Sequence, residues 1–229
     1  MISRARTSLS APLPRMPMDK TSALDALQQW CSDSRLAFDA TARARFSRYI
    51  DLLLHYQEQT NLTGFSTPDA LVHELFIDSL QLLRTGPIDG PALDVGTGAG
   101  FPAIPLKILR PDIAMILVEP RQKRYAFLRI VERELGLGNI SIHRSRIENV
   151  AIPPDLRFAV SKAFAPLPDW LALARPWARQ GARIGCYASR RDWQSLDFAA
   201  AGYRILHAVE QADRIYGVVA ARDSRCATE

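Results

Sequence analysis

The run Leu93-Asp94-Val95-Gly96-Thr97-Gly98-Ala99-Gly100-Phe101-Pro102 constrains this chain more than any other segment. An apolar strand ends around Asp94, three glycines at alternate positions make a turn, and Pro102 opens a helix where its missing N–H costs nothing. Glycine is required because the backbone must turn sharply and approach a ligand closely. The dinucleotide fingerprint would place its third glycine at position 101, which is Phe101 here. The loop therefore suits a nucleoside and suits a pyrophosphate poorly. That combination points to S-adenosylmethionine, which carries an adenosine and an amino acid but no phosphate.

From position 91 onward, strand and helix patterns alternate, the mark of a parallel sheet with crossover helices. Strands are expected at 91–96, 114–119, 140–144, 158–163, 183–188, 203–210 and 214–221, and helices at 102–110, 121–136, 167–178 and 190–201. The last two strands follow each other without a helix, which predicts an antiparallel hairpin at the sheet edge. The expected fold is α/β: a seven-stranded, mostly parallel, Rossmann-like class I methyltransferase sheet. Ligands of such sheets bind beyond the carboxyl ends of the strands. Ahead of it, apolar residues at helical spacing over 22–31 and 41–59, and the Thr67-Pro68 start signal, predict a helical appendage over residues 21–86. Residues 87–229 form the cofactor-binding domain.

Composition bounds the class. The longest apolar stretch is six residues, Ile113 to Val118, far short of a membrane span. No secretory segment is present, so the expected location is cytoplasmic. Cys31, Cys186 and Cys226 are scattered and odd in number, and no metal site is expected. The net charge is +5, but residues 1–20 hold four cations against one carboxylate, so +3 of it belongs to that segment. It reads as a disordered basic tail, dispensable for chemistry, on a nearly neutral body.

Several side chains fall at ligand-facing strand ends. Glu119 ends the second strand, 23 residues after Gly96, where a carboxylate can accept from two ribose hydroxyls; the plainer reading is a solvated loop acid. Ser145-Arg146-Ile147-Glu148 follows the third strand and would face an adenine, with Ile147 on the base and Glu148 at its edge; Ser145 and Glu148 also read as a capping box. Ser161 to Ala165 ends the fourth strand, where Phe164 is either core or a platform for a planar ring. Lys123 and Arg124 read as a solvated helix face, with phosphate contact as the more weakly signalled alternative. His55, His73, His143 and His207 are isolated, and the four tryptophans read as core.

Taken in order, these motifs resemble the small-subunit ribosomal RNA guanine-N7 methyltransferase family, the RsmG or GidB type. The resemblance runs from about Asn61 to Phe164. It rests on Asn61-Leu62-Thr63, Ile77-Asp78-Ser79-Leu80, Asp94 to Pro102 with Ile104-Pro105-Leu106, Lys123-Arg124 with Phe127-Leu128, Ser145 to Glu148, and Ala163-Phe164-Ala165. It implies cofactor contacts at Gly96, Phe101, Ile147, Glu148 and Lys162, beside Asp94, Gly98, Gly100 and Glu119, which the residues themselves suggest; Asn61, Asp78 and Phe164 fall on the acceptor side. It implies 16S ribosomal RNA or the small ribosomal subunit as partner. The chain departs from the family pattern at Glu74-Leu75, where Arg-His is usual and His73 is displaced; at Lys162, where arginine is usual; and at Tyr187-Ala188-Ser189, where Leu-Lys-Gly is usual. These departures leave open a paralogue that N-methylates a small nitrogen heterocycle, and a cofactor-binding regulator without activity. A ring nitrogen presents a lone pair, so no strong general base is required. For an acceptor that must lose a proton, His73 and Asp78 are the candidate bases.

Overall fold

A computed structural model describes residues 19–60 and 62–222. The expectations for the 1–18 segment, for Asn61 and for Cys226 therefore fall outside the described residues. The chain opens with α1 (Lys20–Asp33), capped by Asp19, whose carboxylate accepts from Ser22 N at 2.8 Å, and α2 (Ala40–Thr60). Helix thus begins at the end of the predicted basic tail, because Asp19 supplies the cap.

A helical rod follows. It starts as α3 (Pro68–Ala70), with Thr67 accepting from Ala70 N, and it continues to Thr85. The expected uniform α-helix is not what forms. Leu71–Ile77 is π-helical, α4 (Asp78–Leu80) is a single α turn, and Gln81–Thr85 is a 3₁₀ stretch. The buried residues show why: Leu71 and Val72 recur as Phe76 and Ile77, a spacing of five rather than of three or four. The same spacing puts His73 and Asp78 on one face, where both line a cavity.

The sheet order is β3-β2-β1-β4-β5-β7-β6. It is built from β1 (Ala92–Val95), β2 (Met115–Val118), β3 (Ile140–His143), β4 (Phe158–Val160), β5 (Arg183–Ser189), β6 (Tyr203–Gln211) and β7 (Arg214–Ala221). The first five strands are parallel, and β7 runs antiparallel between β5 and β6. The expected doubly wound sheet with a terminal hairpin is what forms. Its crossover helices are α5 (Ala103–Leu109), α6 (Gln122–Glu134), α7 (Leu167–Arg179) and α8 (Arg190–Ser195).

Two elements are shorter than expected. β4 stops at Val160 because Ser161 turns its hydroxyl onto the Val95 carbonyl at 3.0 Å instead of extending the ladder. α8 stops at Ser195 because Leu196 is extended and the Asp197 side chain accepts from Ala200 N, a local turn that competes with helix.

Strand alternation divides the interior in two. Ala92, Phe158, Val160, Tyr216 and Val218 face one core, which they share with α1, α2, the 68–85 rod, α5 and α6. Leu93, Val95, Ala159, Ile184, Ile215 and Val219 face the other, covered by α7 and α8. The N-terminal helices and the sheet thus share one continuous apolar cluster. Tyr49 of α2 joins them most directly. It is fully buried, stacks on Phe76 and Phe101, and donates to the Ala99 carbonyl at 2.6 Å inside the glycine turn. Tyr49→Phe is expected to leave that carbonyl buried and unpaired, costing about 1–3 kcal/mol. At roughly 2–4 °C per kcal/mol for a chain of this size, thermal unfolding checks it.

Candidate active site

The carboxyl edge of the parallel strands gathers most of the residues that the sequence marks. β1 leads into the glycine turn, with positive φ at Gly96 (69°), Gly98 (63°) and Gly100 (104°). Two of these positions also require the missing side chain. A Cβ at Gly96 would lie 2.5 Å from the Phe164 ring, and one at Gly100 would lie 2.4 Å from Ile104.

Asp94 holds the turn to the helix. It is fully buried, and its Oδ2 accepts from Thr97 Oγ1 at 2.6 Å and from Ala103 N at 3.1 Å. Its Oδ1 is buried without a partner. Burial pushes the Asp94 carboxyl up to about 7, against the pull of its two hydrogen bonds. Glu119, just beyond β2, reaches across to the same turn. Its Oε2 accepts from Gly98 N at 3.0 Å and its Oε1 from Arg121 N at 2.8 Å. It is buried, not the solvated loop acid of the plainer reading. A cradle of positive-φ glycines, a carboxylate at the next strand end and one orphaned buried carboxylate oxygen together fit a small ligand with hydroxyl and ammonium donors.

The 145–148 segment is arranged differently from its capping-box reading. Arg146 is the cap residue of a short 3₁₀ turn over Ile147–Asn149, and no side chain caps it. Ile147 is buried in the core on the α7 face, while Glu148 is exposed.

Beyond β4, Lys162 and Phe164 part company. Phe164 is 45% exposed, with its ring against Gly96. The preceding Ala163 carries a positive φ of 56°, uncommon for a residue with a side chain. Lys162 points into the interior. Its Nζ lies 2.5 Å from Asp78 Oδ2 and within 6 Å of the Phe101 and Tyr187 rings. Burial lowers the Lys162 pKa, and Asp78 opposes that shift. The other Asp78 oxygen accepts from Tyr216 OH at 2.6 Å and Arg214 Nη1 at 3.0 Å. Both Asp78 oxygens therefore lie against positive or donating groups. Phe101 is also mostly buried, stacked between Tyr49 and Phe76.

Two cavities open on this cluster. The larger, about 940 Å³, is lined among others by Asp69, His73, Glu74, Asp78, Asp213 and Arg214. The smaller, about 330 Å³, is reached by Lys162, Tyr187, Arg214 and Tyr216. His73 Nε2 lies 3.4 Å from Asp69 Oδ1, and neither atom has a hydrogen bond among the described residues. The structure thus brings Lys162 to Asp78 and Glu119 to the glycine turn, and it packs Ile147 in the core that also holds Val95 and Val118, the residues before Gly96 and Glu119. Sequence reasoning missed Arg214 and Tyr216. Their signal was the hairpin: an antiparallel β7 begins at the carboxyl edge, and Tyr216 pairs in register with Tyr187. Among the described residues, no three His, Cys, Asp or Glu side chains form a group that could hold a metal ion.

With this geometry in place, comparison with known proteins decides the family. The model of the rRNA small subunit methyltransferase G family matches residues 42–212. The chain belongs to that family. A relative from Nitrosomonas europaea, a ribosomal RNA small subunit methyltransferase G, is 38% identical over 133 residues, covering 58% of this chain and 61% of that protein. The matched region thus spans about three fifths of that relative's length. The protein of the same name from Wolinella succinogenes is 38% identical over 169 residues, covering 73% of this chain and 86% of its own. Among solved structures, a SAM dependent methyltransferase from Aquifex aeolicus superposes with a TM-score of 0.51 at 23% identity, over 67% of this chain and 92% of that one. That likeness shows the class I methyltransferase fold.

Two outcomes follow from the buried carboxylates. Asp94 binds its proton more tightly folded than unfolded. Its contribution to stability is therefore full below about pH 4 and is lost as pH rises through its folded value near 7. Asp94→Asn keeps an acceptor for Thr97 and Ala103, so urea unfolding from pH 4 to 8 is expected to show a smaller decline than in the parent. Asp78→Ala strands the Lys162 ammonium and is expected to cost about 3–5 kcal/mol. Adding Lys162→Met should recover part of that loss. A normal melting temperature for Asp78→Ala with turnover abolished would restore Asp78 as a base.

Proposed function

We propose that the chain is an S-adenosylmethionine-dependent methyltransferase that modifies N7 of a guanine in 16S ribosomal RNA. The family match over residues 42–212 carries this reading. The glycine cradle at the carboxyl edge of the sheet supports it. When bound, S-adenosylmethionine supplies an electrophilic methyl group on a positively charged sulfur. On this reading Gly96, Gly98 and Gly100 let its amino-acid portion approach the backbone. Glu119 holds the ribose hydroxyls, and Asp94 Oδ1 offers an acceptor to the ammonium. Phe164, exposed against Gly96, offers a face on which the target base can stack. The guanine N7 lone pair forms the new N–C bond as the C–S bond breaks, and the electron pair leaves with sulfur. No proton leaves N7, so orientation supplies most of the acceleration. Lys162 and Asp78 position the wall beside Phe101 and Tyr187 and take no proton.

One observation favours a second acceptor. The 940 Å³ cavity is lined by Asp69, Glu74, Asp78 and Asp213. His73 and Arg214 share that lining and Asp78 is paired with Lys162 and Arg214, so the wall suits a small neutral, donor-rich nitrogen heterocycle.

Labelled cofactor, incubated with small ribosomal subunits or with a metabolite extract, separates the two. RNA as acceptor predicts label on guanine N7 and a steep fall in activity with salt, because phosphate contacts release counterions. A small heterocycle predicts nearly salt-independent turnover. Label on oxygen or carbon alone overturns the ring-nitrogen reading. Glu119→Gln, which keeps only one of its acceptor oxygens, is expected to weaken S-adenosylmethionine binding roughly tenfold or more, since each charged hydrogen bond contributes about 1.5–3 kcal/mol. Calorimetry measures it, and unchanged affinity removes Glu119 from the site.

A further inference from the structure

The sequence pattern reads Lys123 and Arg124 as an ordinary solvated helix face. The fold places them in a larger group. β3 is the edge strand and β2 its neighbour, and Glu119 N donates to the His143 carbonyl at 3.0 Å, so the segments after the two strands run side by side. One carries Arg121, Lys123 and Arg124; the other carries Arg144 and Arg146. All but the half-buried Arg124 are exposed. None of these five cations has an ion-pair or hydrogen-bond partner for its side chain among the described residues. The two segments contain two carboxylates, of which Glu119 is buried and committed to backbone N–H groups and Glu148 is exposed.

The rest of α6 behaves differently. Arg129 pairs with Glu132 and Arg133 with Glu134, which is how an ordinary solvated helix face distributes its charge. The unpaired cations lie instead at and beside the N-terminal turn of α6, where the helix macrodipole is itself positive and no acidic residue compensates. That placement is unfavourable for folding alone. It also borders the cofactor cleft: a Cβ at Gly98 would lie 3.7 Å from Arg124 Nη1.

We infer that Arg121, Lys123, Arg144 and Arg146 form a docking surface for the phosphodiester backbone of the RNA that carries the target base. The inference rests on the RNA reading above and deepens it by fixing the path of the strand. Phosphates run along the β2–β3 edge, over the adenosine side of the cofactor cleft, and away from the acidic cavity.

The test compares two triple variants of the full chain that remove the same charge. Arg121→Gln/Lys123→Gln/Arg144→Gln strips the surface and spares Arg124 and the 145–148 segment. Arg175→Gln/Arg179→Gln/Arg222→Gln strips three arginines that line a depression at the opposite, amino-terminal edge of the sheet. Binding to deproteinised 16S ribosomal RNA is measured by filter retention across a series of KCl concentrations. Calorimetry with S-adenosylmethionine and melting temperature serve as controls. The first variant is expected to bind more weakly, with a log–log salt slope shallower by about 2–3, since each lost phosphate contact removes roughly 0.7–0.9. Its cofactor affinity and melting temperature should match the parent, and the second variant should keep the parent slope. An unchanged slope in the first variant, or equal loss in both, overturns the docking surface while parental RNA methylation leaves the functional reading intact. Loss of cofactor affinity with the RNA slope unchanged also overturns it. A parent chain that neither binds nor methylates RNA overturns both.

Discussion

The site hangs on one buried carboxylate. Asp94 receives the Thr97 hydroxyl and the Ala103 amide on a single oxygen, and so ties the end of β1, the middle of the turn and the start of α5 into one unit. Burying that group is expensive enough to raise its pKa to about 7. Its hydrogen bonds join the turn to α5, while the Val118 carbonyl and Glu119 hold the turn to the β2 end. The turn's glycines have no side chains to pack, and their positive φ values are conformations the chain would not otherwise hold. Tyr49 from α2 closes the arrangement from outside by donating to Ala99 O. An N-terminal helix thus takes part in shaping a turn that belongs, by sequence, to the sheet domain.

A second buried group lies beyond β4. Lys162 and Asp78 come from elements 84 residues apart in sequence, and they meet because a π-helical segment and a truncated strand converge beside Tyr187 and Tyr216. A lone buried ammonium at this point would be prohibitive. Asp78 makes it tolerable, and Arg214 and Tyr216 in turn satisfy Asp78. Where the family pattern has arginine, lysine presents a single point of charge, which matches the single oxygen left to it. The charge layout of the whole edge follows: uncompensated cations outside β2 and β3, a neutralised buried cluster beyond β4, and an acidic cavity wall beneath the 68–85 rod.

The sheet, its order and the glycine turn were legible because they depend on short-range signals: alternation, proline at a helix start, glycines at fixed spacing. Glu119 was legible from its offset to the turn. The failures share a cause. The π-helix over Leu71–Ile77 is selected by what packs beneath it, and its sequence fits an ordinary helix equally well. Ser145 caps nothing because Arg146 adopts the cap geometry first. Arg214 and Tyr216 reach the site only because β7 runs antiparallel, so its first residues arrive at the edge where the parallel strands end. The hairpin itself is legible, but which of its two strands pairs with β5 is a tertiary fact that no local window contains.

The absence of a free base among these groups bears on what chemistry the proposed reading allows. Asp78 is paired with Lys162, Arg214 and Tyr216, Asp94 is buried with its Oδ1 turned to no protein donor, and Glu119 is held by two amides. His73 faces Asp69 at a distance too long for a good hydrogen bond. An acceptor that had to shed a proton before attack would find no well-placed partner. An aromatic nitrogen with its lone pair already in the ring plane needs only to be held in line with the methyl group. A stacking face at Phe164 and a turn at Gly96 built against it are the parts that such a reaction requires.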